Sequence, residues 1–470
     1  MIFKLLSRRR FGGYTAAQFC RHNPPNPAGY FMIQCDTLIT VGWCIPVEPP
    51  GTVYEDYAVA IDEDRILDLL PRSEALAKYS PGVTIERPGQ VLIPGLVNTH
   101  THAAMTVFRG LADDLPLERW LREAIWPAEQ RWAGTELVRD GTKLAVAEML
   151  RAGITCFSDQ YFFPETVAEV AAEAHMRAHV ATPVIDFKTA WAESAEDCLN
   201  KGSERVHDRY ADHPLITSCF APHSIDTVSE DAFRALRVLA DQLDCQVQMH
   251  LHESAAEIQE SLAKTDHRPL ERLNQLGLVN SSLLAVHAVH LTEGEIELFA
   301  DSGVSVAHCP RSNLKLADGF APVAALTSAG INVSLGTDGA ASNNVLDILA
   351  EARTAALIGK AFAEDPEVLP AEQILRMATL DGARAIGLAN QTGSIEIGKA
   401  ADLTCIDLNR LHSQPVYDAI SQVIYTAGAD QVSDVWVAGR HLLDGGQLTH
   451  IDKQDVIQRA NEWRDRITPR

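Results

Sequence analysis

Two kinds of hydrophobic pattern alternate along most of this chain. Short apolar runs, rich in β-branched residues, are separated by longer stretches with apolar positions three and four apart. The first pattern reads as buried strand and the second as helix laid against it. Eight strand candidates fall at 91–102, 154–159, 179–186, 215–223, 245–252, 283–290, 304–308 and 331–338. Helical patterns lie between them, among others at 135–152, 229–243, 292–301 and 321–330. Such alternation predicts a parallel βα barrel or a doubly wound sheet. Eight units over about 250 residues match a (β/α)8 barrel of the TIM type in number and length.

The pattern changes at both ends. Residues 32–41 and 53–61 read as short strands with Gly, Pro and Asp turns, and so do 401–407, 432–438 and 442–443. Neither set completes a sheet alone, which predicts one small β-sandwich domain built from both termini around the barrel. The expected division is 32–90 with 395–470 for that domain and 91–394 for the barrel. Residues 1–31 are expected to be an extension, disordered or read from an upstream start, with Met32 opening the folded part. Ser7-Arg-Arg-Arg-Phe11 superficially resembles a twin-arginine export signal, but no apolar core follows it in 12–27.

Composition narrows the class. Lys plus Arg is 40 against 63 for Asp plus Glu, a formal charge of −23. That acidity opposes binding to nucleic acid or to an anionic membrane, both of which need basic patches. No apolar stretch approaches the roughly 18 residues of a membrane span. The nine cysteines form no Cys-x-x-Cys pair, and several sit in apolar runs. Reduced, buried thiols and a cytoplasmic location follow.

Polar chemistry concentrates at the C-terminal ends of the strand candidates, where a barrel places its active site. The first ends in His100-Thr-His102, the fourth in Ala221-Pro-His223 and the fifth in His250-Leu-His-Glu253. The sixth carries His287 and His290, the seventh ends in His308 and the eighth in Gly336-Thr-Asp338. His100, His102, one histidine of the fifth strand and Asp338 make a set suited to one catalytic metal ion. Strand alternation places His250 and His252 on the same face and does not choose between them. A metal-bound water becomes hydroxide near neutral pH, and a carboxylate must then shuttle protons to the substrate. Glu253 is the candidate shuttle, and His287 is expected across the metal, stabilising developing charge. His290 lies past its strand and reads as a structural histidine.

The run Pro94-Gly-Leu-Val-Asn-Thr-His-Thr-His102 resembles the amidohydrolase superfamily. The likeness extends through Met249-His-Leu-His-Glu253, Ala285-Val-His-Ala-Val-His290, Ser312-Asn-Leu-Lys-Leu316, Leu335-Gly-Thr-Asp-Gly-Ala-Ala-Ser-Asn-Asn344 and Gly393-Ser-Ile-Glu-Ile-Gly-Lys-Ala-Ala-Asp402. Within that superfamily the chain is most similar to methylthioadenosine/S-adenosylhomocysteine deaminases and their relatives, the triazine hydrolases. The resemblance implies His100, His102, His250 and Asp338 as ligands of one divalent metal, zinc first, with iron(II) or manganese(II) accepted by the same donors. It implies Glu253 as proton shuttle, His287 as assistant at the metal-bound water, and Asp338 as ligand and initial base. Glu129 matches a glutamate that grips ribose hydroxyls, His223 a substrate-binding histidine, and Ser342 a substrate-side position. Binuclear members carry a carboxylated lysine on the fourth strand; 215–223 has none, which implies a single metal.

The implied reaction is hydrolytic deamination of a 6-aminopurine nucleoside: 5′-methylthioadenosine, adenosine or S-adenosylhomocysteine. Metal-bound hydroxide attacks C6 while Glu253 serves N1. Relatives that take S-adenosylhomocysteine are expected to hold its carboxylate with an arginine after the third strand. Residues 186–200 contain only Lys188, which favours a neutral 5′-substituent. Phe108, Leu111 and Trp120 suit either an apolar pocket or the core. The alternatives are a guanine- or cytosine-type base deaminase, a triazine chlorohydrolase, or a non-catalytic barrel. Barrels of this superfamily imply a homo-oligomer, dimer or tetramer, acting on a small-molecule nucleoside.

Overall fold

The computed structural model describes residues 32–468, so the extension expected over 1–31 lies outside the described residues. Strands β1 (Ile33–Cys44), β2 (Tyr54–Asp62), β3 (Arg65–Pro71) and β4 (Tyr79–Pro94) precede the barrel. The barrel strands are β5 (Leu96–Thr101), β6 (Ile154–Gln160), β7 (Arg177–Val184), β8 (Ile216–Pro222), β9 (Val247–Leu251), β10 (Leu283–His287), β11 (Ser305–His308) and β12 (Asn332–Leu335). Four more follow them: β13 (Leu403–Asp407), β14 (Val432–Val437), β15 (Arg440–Asp444) and β16 (Gln447–Leu448).

Strands β5 to β12 pair in parallel, in chain order, as one eight-stranded sheet. Every residue of β5, β6 and β7 is buried. Parallel strands covered on both faces need continuous apolar runs, which is why these segments lack polar alternation. Side chains join the first and last strands. Thr99 Oγ1 donates to Leu335 O (2.9 Å), and Asn98 Nδ2 donates to Thr337 Oγ1 (2.7 Å). The His100 carbonyl accepts the Asp338 N–H (3.0 Å). Gly336 permits this approach, because a Cβ there would lie 2.9 Å from His100 Cβ and 3.0 Å from Cys309 Sγ.

The remaining strands form a second eight-stranded sheet, ordered β16-β15-β14-β13-β4-β1-β2-β3. Its two halves, one from each end of the chain, meet where β4 pairs antiparallel with β13. The strand expected over 91–102 is therefore two strands in different sheets. Val91 to Pro94 pair with β13, while Leu96 onward lies in the barrel. Pro94 has no N–H to continue a ladder, and the Gly95 N–H bonds to Asp402 O (2.9 Å) as the chain crosses over. An unbroken apolar run carries no mark of such a change of partner.

A buried ion pair ties the two sheets together. Arg177 on β7 donates to Asp402 through Nε (2.7 Å) and Nη2 (3.1 Å), and Asp402 Oδ1 also accepts the Ala438 N–H (2.7 Å). Both side chains are almost fully buried. Removing one partner strands a charge in the interior. Asp402→Ala is expected to lower stability by about 3–5 kcal/mol, read from its denaturant midpoint, whereas a loss under about 1 kcal/mol would contradict this account.

Helix ends follow their sequence signals. Ser229 Oγ accepts the Ala232 N–H and caps Glu230–Leu243, and Thr292 with Glu295 forms a capping box on Glu293–Ser302. Phe108 and Trp120 are buried in the main core, with Leu111 packed against it. No helix among the described residues is long and apolar enough to cross a membrane.

Candidate active site

The strand ends bring four donors together. His100 is the penultimate residue of β5, His102 follows that strand, His250 lies on β9, and Asp338 stands three residues past β12. Their ligand atoms all lie within 4.8 Å of one another. His100 Nε2 is 3.4 Å and His102 Nε2 3.2 Å from Asp338 Oδ1, and His250 Nε2 is 3.2 Å from His100 Nε2. Three imidazoles and one carboxylate, converging on one point through single atoms, are a donor set that zinc and similar divalent ions accept.

Each donor is held from behind. The Gln248 amide contacts His100 Nδ1 (2.9 Å) and Ser158 Oγ (2.8 Å). His102 Nδ1 meets Gln160 O (2.5 Å), and His250 Nδ1 meets His223 O (3.2 Å). Ser312 and Ser342 both donate to Asp338 Oδ2 (2.6 Å each), leaving Oδ1 towards the histidines. Such outer partners fix ring orientation and the basicity of the inward atom.

Burial pulls His100 down to about 4 and His250 well below the usual histidine value, the latter aided by neighbouring imidazoles. Burial also opposes charge on His102, but the Asp338 hydrogen bond outweighs it and raises this ring to about 9. Burial would raise Asp338; hydrogen bonds from His100 and His102 instead hold it well below the carboxylate range. His100 and His250 are thus neutral and Asp338 ionised, the state a cation needs, whereas His102 shares a proton with Asp338 that a bound cation would displace.

Glu253 and His287 stand beside these donors. His287 Nε2 is 3.5 Å from Glu253 Oε1, and its Nδ1 lies 2.8 Å from Asn313 Oδ1. The His287 ring stacks on His250 with centroids 5.6 Å apart. Burial, then the Asp338 charge, pushes Glu253 up to about 8. Glu257 accepts the backbone N–H of Glu253 (2.9 Å) and of His252 (3.3 Å), fixing the turn that aims Glu253. His252, His287 and Asp338 all adopt positive φ (54°, 71° and 58°). Such costly backbone conformations cluster where surrounding structure imposes a functional geometry.

The two strand-five histidines separate cleanly. Strand β9 ends at Leu251, and the positive φ of His252 breaks the alternation that would have kept it beside His250. His252 is buried elsewhere, accepting the Leu270 N–H through Nε2 (3.2 Å). His290 is likewise engaged outside the cluster, with Nε2 on Asp318 O (2.7 Å). His223 lies beside His250, ring centroids 5.8 Å apart. Glu129, on the helix Trp126–Trp132, accepts a hydrogen bond from Tyr161 Oη (2.7 Å).

A sequence profile described as the Amidohydrolase family matches residues 91–442. The chain belongs to the amidohydrolase family. It is 47% identical over 432 residues to the 5-methylthioadenosine/S-adenosylhomocysteine deaminase of Teredinibacter turnerae, covering 92% of this chain and 98% of the relative. Its fold matches that of an adenosine deaminase from Xanthomonas campestris solved with bound zinc: TM-score 0.92, 49% identity, 94% of this chain and 99% of the other. The atrazine chlorohydrolase of Arthrobacter aurescens, also solved with zinc, is more distant at TM-score 0.84 and 25% identity, over 91% and 99%.

Several residues of this amidohydrolase site escaped the sequence reading. Gln248 sits two positions before His250, and its polarity inside an apolar strand was an available signal. Ser312 and Asn313 lie in a motif that carried the family likeness without any assigned task. Tyr161, Gln160 and Glu257 gave no signal, since nothing local marks their contacts. One other acidic–histidine group occurs among the described residues, Asp434, His441 and Asp444. There Arg87 donates to both Asp434 oxygens (2.8 and 2.7 Å), so a guanidinium already neutralises that carboxylate.

Proposed function

We propose that this amidohydrolase hydrolyses the 6-amino group of a purine nucleoside, giving the 6-oxo nucleoside and ammonia. One observation carries the reading: a buried glutamate, its carboxyl raised by burial, stands beside a three-histidine, one-carboxylate cluster suited to a divalent metal. Relatives named as adenosine-type deaminases share this chain over nearly their whole length.

His100, His102, His250 and Asp338 would hold one divalent ion, which is zinc in the solved relatives named above. When bound, such an ion acidifies water towards neutral pH and supplies a Lewis acid at the reacting carbon. The chain's own groups handle the protons. Asp338, ionised, accepts a proton from the water that adds to C6. Glu253 donates its proton to N1, which makes C6 electrophilic; the carboxylate left behind then takes the C6 hydroxyl proton of the adduct and passes it to the departing amino group, and the proton held by Asp338 returns to Glu253. The C6–O bond forms, the C6–N bond breaks, and nitrogen leaves as ammonia. His287, fixed by Asn313, sits beside Glu253 to stabilise charge developing at C6.

Glu129 and His223 bind the sugar side, while the buried Ser342 hydroxyl is spent on Asp338 Oδ2, behind the donor cluster, and so serves as a support of that ligand. A carboxylate accepts two hydroxyl donors at once, which suits a vicinal diol. The 5′-substituent is neutral, as in methylthioadenosine or adenosine. In 186–200 Lys188 is exposed and pairs with Glu193 (2.9 Å), and Trp191 turns inward to Glu165. Neither offers a partner for an amino-acid carboxylate. The domain scheme keeps a barrel and a composite of both chain ends, with the first boundary moved from 91 to Gly95 because Val91 to Pro94 pair with β13. All cysteines among the described residues are free and buried, which fits a reducing cytoplasm. Phe320 and Phe362, exposed with rings 5.6 Å apart, favour association into a dimer or tetramer.

Ammonia release from methylthioadenosine, adenosine, S-adenosylhomocysteine, guanine and cytosine, with chloride release from atrazine, tests the assignment. Methylthioadenosine and adenosine are expected to exceed the free bases by at least about a hundredfold in kcat/KM, as buried polar groups without ligand partners demand. Activity confined to free bases or to the triazine would overturn it.

A further inference from the structure

Strand β6 contributes no metal ligand, yet its end touches three parts of the site. Asp159 Oδ1 accepts the Ala103 N–H (2.5 Å), directly after His102. Gln160 O meets His102 Nδ1 (2.5 Å). Tyr161 Oη donates to Glu129 Oε1 (2.7 Å). Three consecutive residues therefore bind the segment carrying a metal ligand and a carboxylate borne by a separate helix. We infer that Tyr161 is a positioning residue for sugar recognition, acting through Glu129, so that the end of β6 sets the spacing between the metal cluster and the ribose carboxylate. This inference rests on the assignment of Glu129 to the ribose hydroxyls.

The chemistry favours orientation over direct contact. Tyr161 is buried, and its hydroxyl is engaged with Glu129. Glu129 sits on the short helix Trp126–Trp132, which buries none of its own residues fully and offers little to immobilise a long side chain. One oxygen, Oε1, is pinned by the phenol, and the carboxylate keeps Oε2 and further lone pairs for a diol. Burial raises Glu129 above the usual carboxylate value and thus works against its charge. The Tyr161 hydrogen bond opposes that effect and favours the ionised form, which is the better acceptor for two hydroxyls. A glutamate left unpinned would lose both its direction and part of its charge, weakening the ground-state grip on the sugar while leaving the C6 chemistry untouched.

The test uses the zinc-loaded enzyme with Tyr161→Phe, Glu129→Gln and the double variant, each assayed on adenosine and on 2′,3′-dideoxyadenosine. Tyr161→Phe keeps the buried ring and removes the one donor. Its KM for adenosine is expected to rise about tenfold, the scale of one hydrogen bond to a charged group, while kcat stays within about twofold. Its kcat/KM for the dideoxynucleoside and its zinc content are expected to match wild type, and the change is expected to add nothing in the Glu129→Gln background. Equal losses on both nucleosides, a loss confined to kcat, or additive losses in the double variant would overturn the inference. So would a strong, ribose-selective effect of Glu129→Gln with none from Tyr161→Phe, which leaves the ribose assignment standing. Should Glu129→Gln itself fail to discriminate the two nucleosides, the ribose assignment falls and the inference with it.

Discussion

Glu253→Gln is expected to keep one equivalent of metal and to lose about a thousandfold or more in kcat. The amide fills the same space but carries no exchangeable acid proton, and positioned proton transfer is worth about 10²–10⁴-fold. In the proposed reaction the same group serves twice, at N1 and at the leaving amine, which places the loss at the upper end. Glu253 is suited to the task because burial, with Asp338 adding to it, raises its carboxyl to about 8 without a metal. A bound dication lowers that value, since it favours the charged form. In the proposed reaction the protonated form is the active one, so the rate is expected to fall as pH rises through or somewhat below 8. Near-normal turnover in the variant would remove Glu253 from the reaction.

The second large effect separates two neighbouring histidines. His250→Ala removes one of four converging donors and is expected to drop bound metal well below one equivalent, with a loss on the order of a thousandfold in turnover. His252→Ala, two residues away, is expected to keep metal and most activity. It leaves the buried Leu270 N–H without its acceptor, at a cost of about 1–3 kcal/mol in stability. Metal analysis, turnover and thermal unfolding on the pair resolve the two roles. Loss of metal in both variants would contradict the division drawn at Leu251.

That pair also shows where sequence patterns stop. Period-two alternation holds only inside a strand, and β9 ends at Leu251, between the two histidines, with the backbone turning to positive φ at His252. Nothing in His-Leu-His-Glu signals that turn; the family likeness was needed to choose His250. The strand count was legible because buried parallel strands leave unmistakable apolar runs, and seven of the eight expected positions match β6 to β12 closely. The run from 91 failed for the same reason. Both sheets ask for apolar residues, so hydrophobicity carries no trace of the handover from β13 to the barrel at Pro94 and Gly95.

The donors were legible because metal chemistry needs particular side chains at strand ends. Their supports were less so, since a carbonyl or an amide acting from behind has no distinctive residue type. The contact of Gln160 O with His102 and that of Gln248 with His100 join residues 58 and 148 positions apart. Tyr161 and Glu129 are joined across a helix and a strand in the same way. Only the folded barrel brings such pairs together.

The central claim is hydrolytic removal of nitrogen from a purine nucleoside, and its most direct test follows both atoms at once. The zinc-loaded enzyme is given 5′-methylthioadenosine in water enriched in oxygen-18, and ammonia and nucleoside product are measured together. One ammonia per product, with one heavy oxygen at C6 of an intact nucleoside, is the predicted result. Absence of turnover by fully metal-loaded enzyme, or release of free base with the amino group still in place, would contradict it.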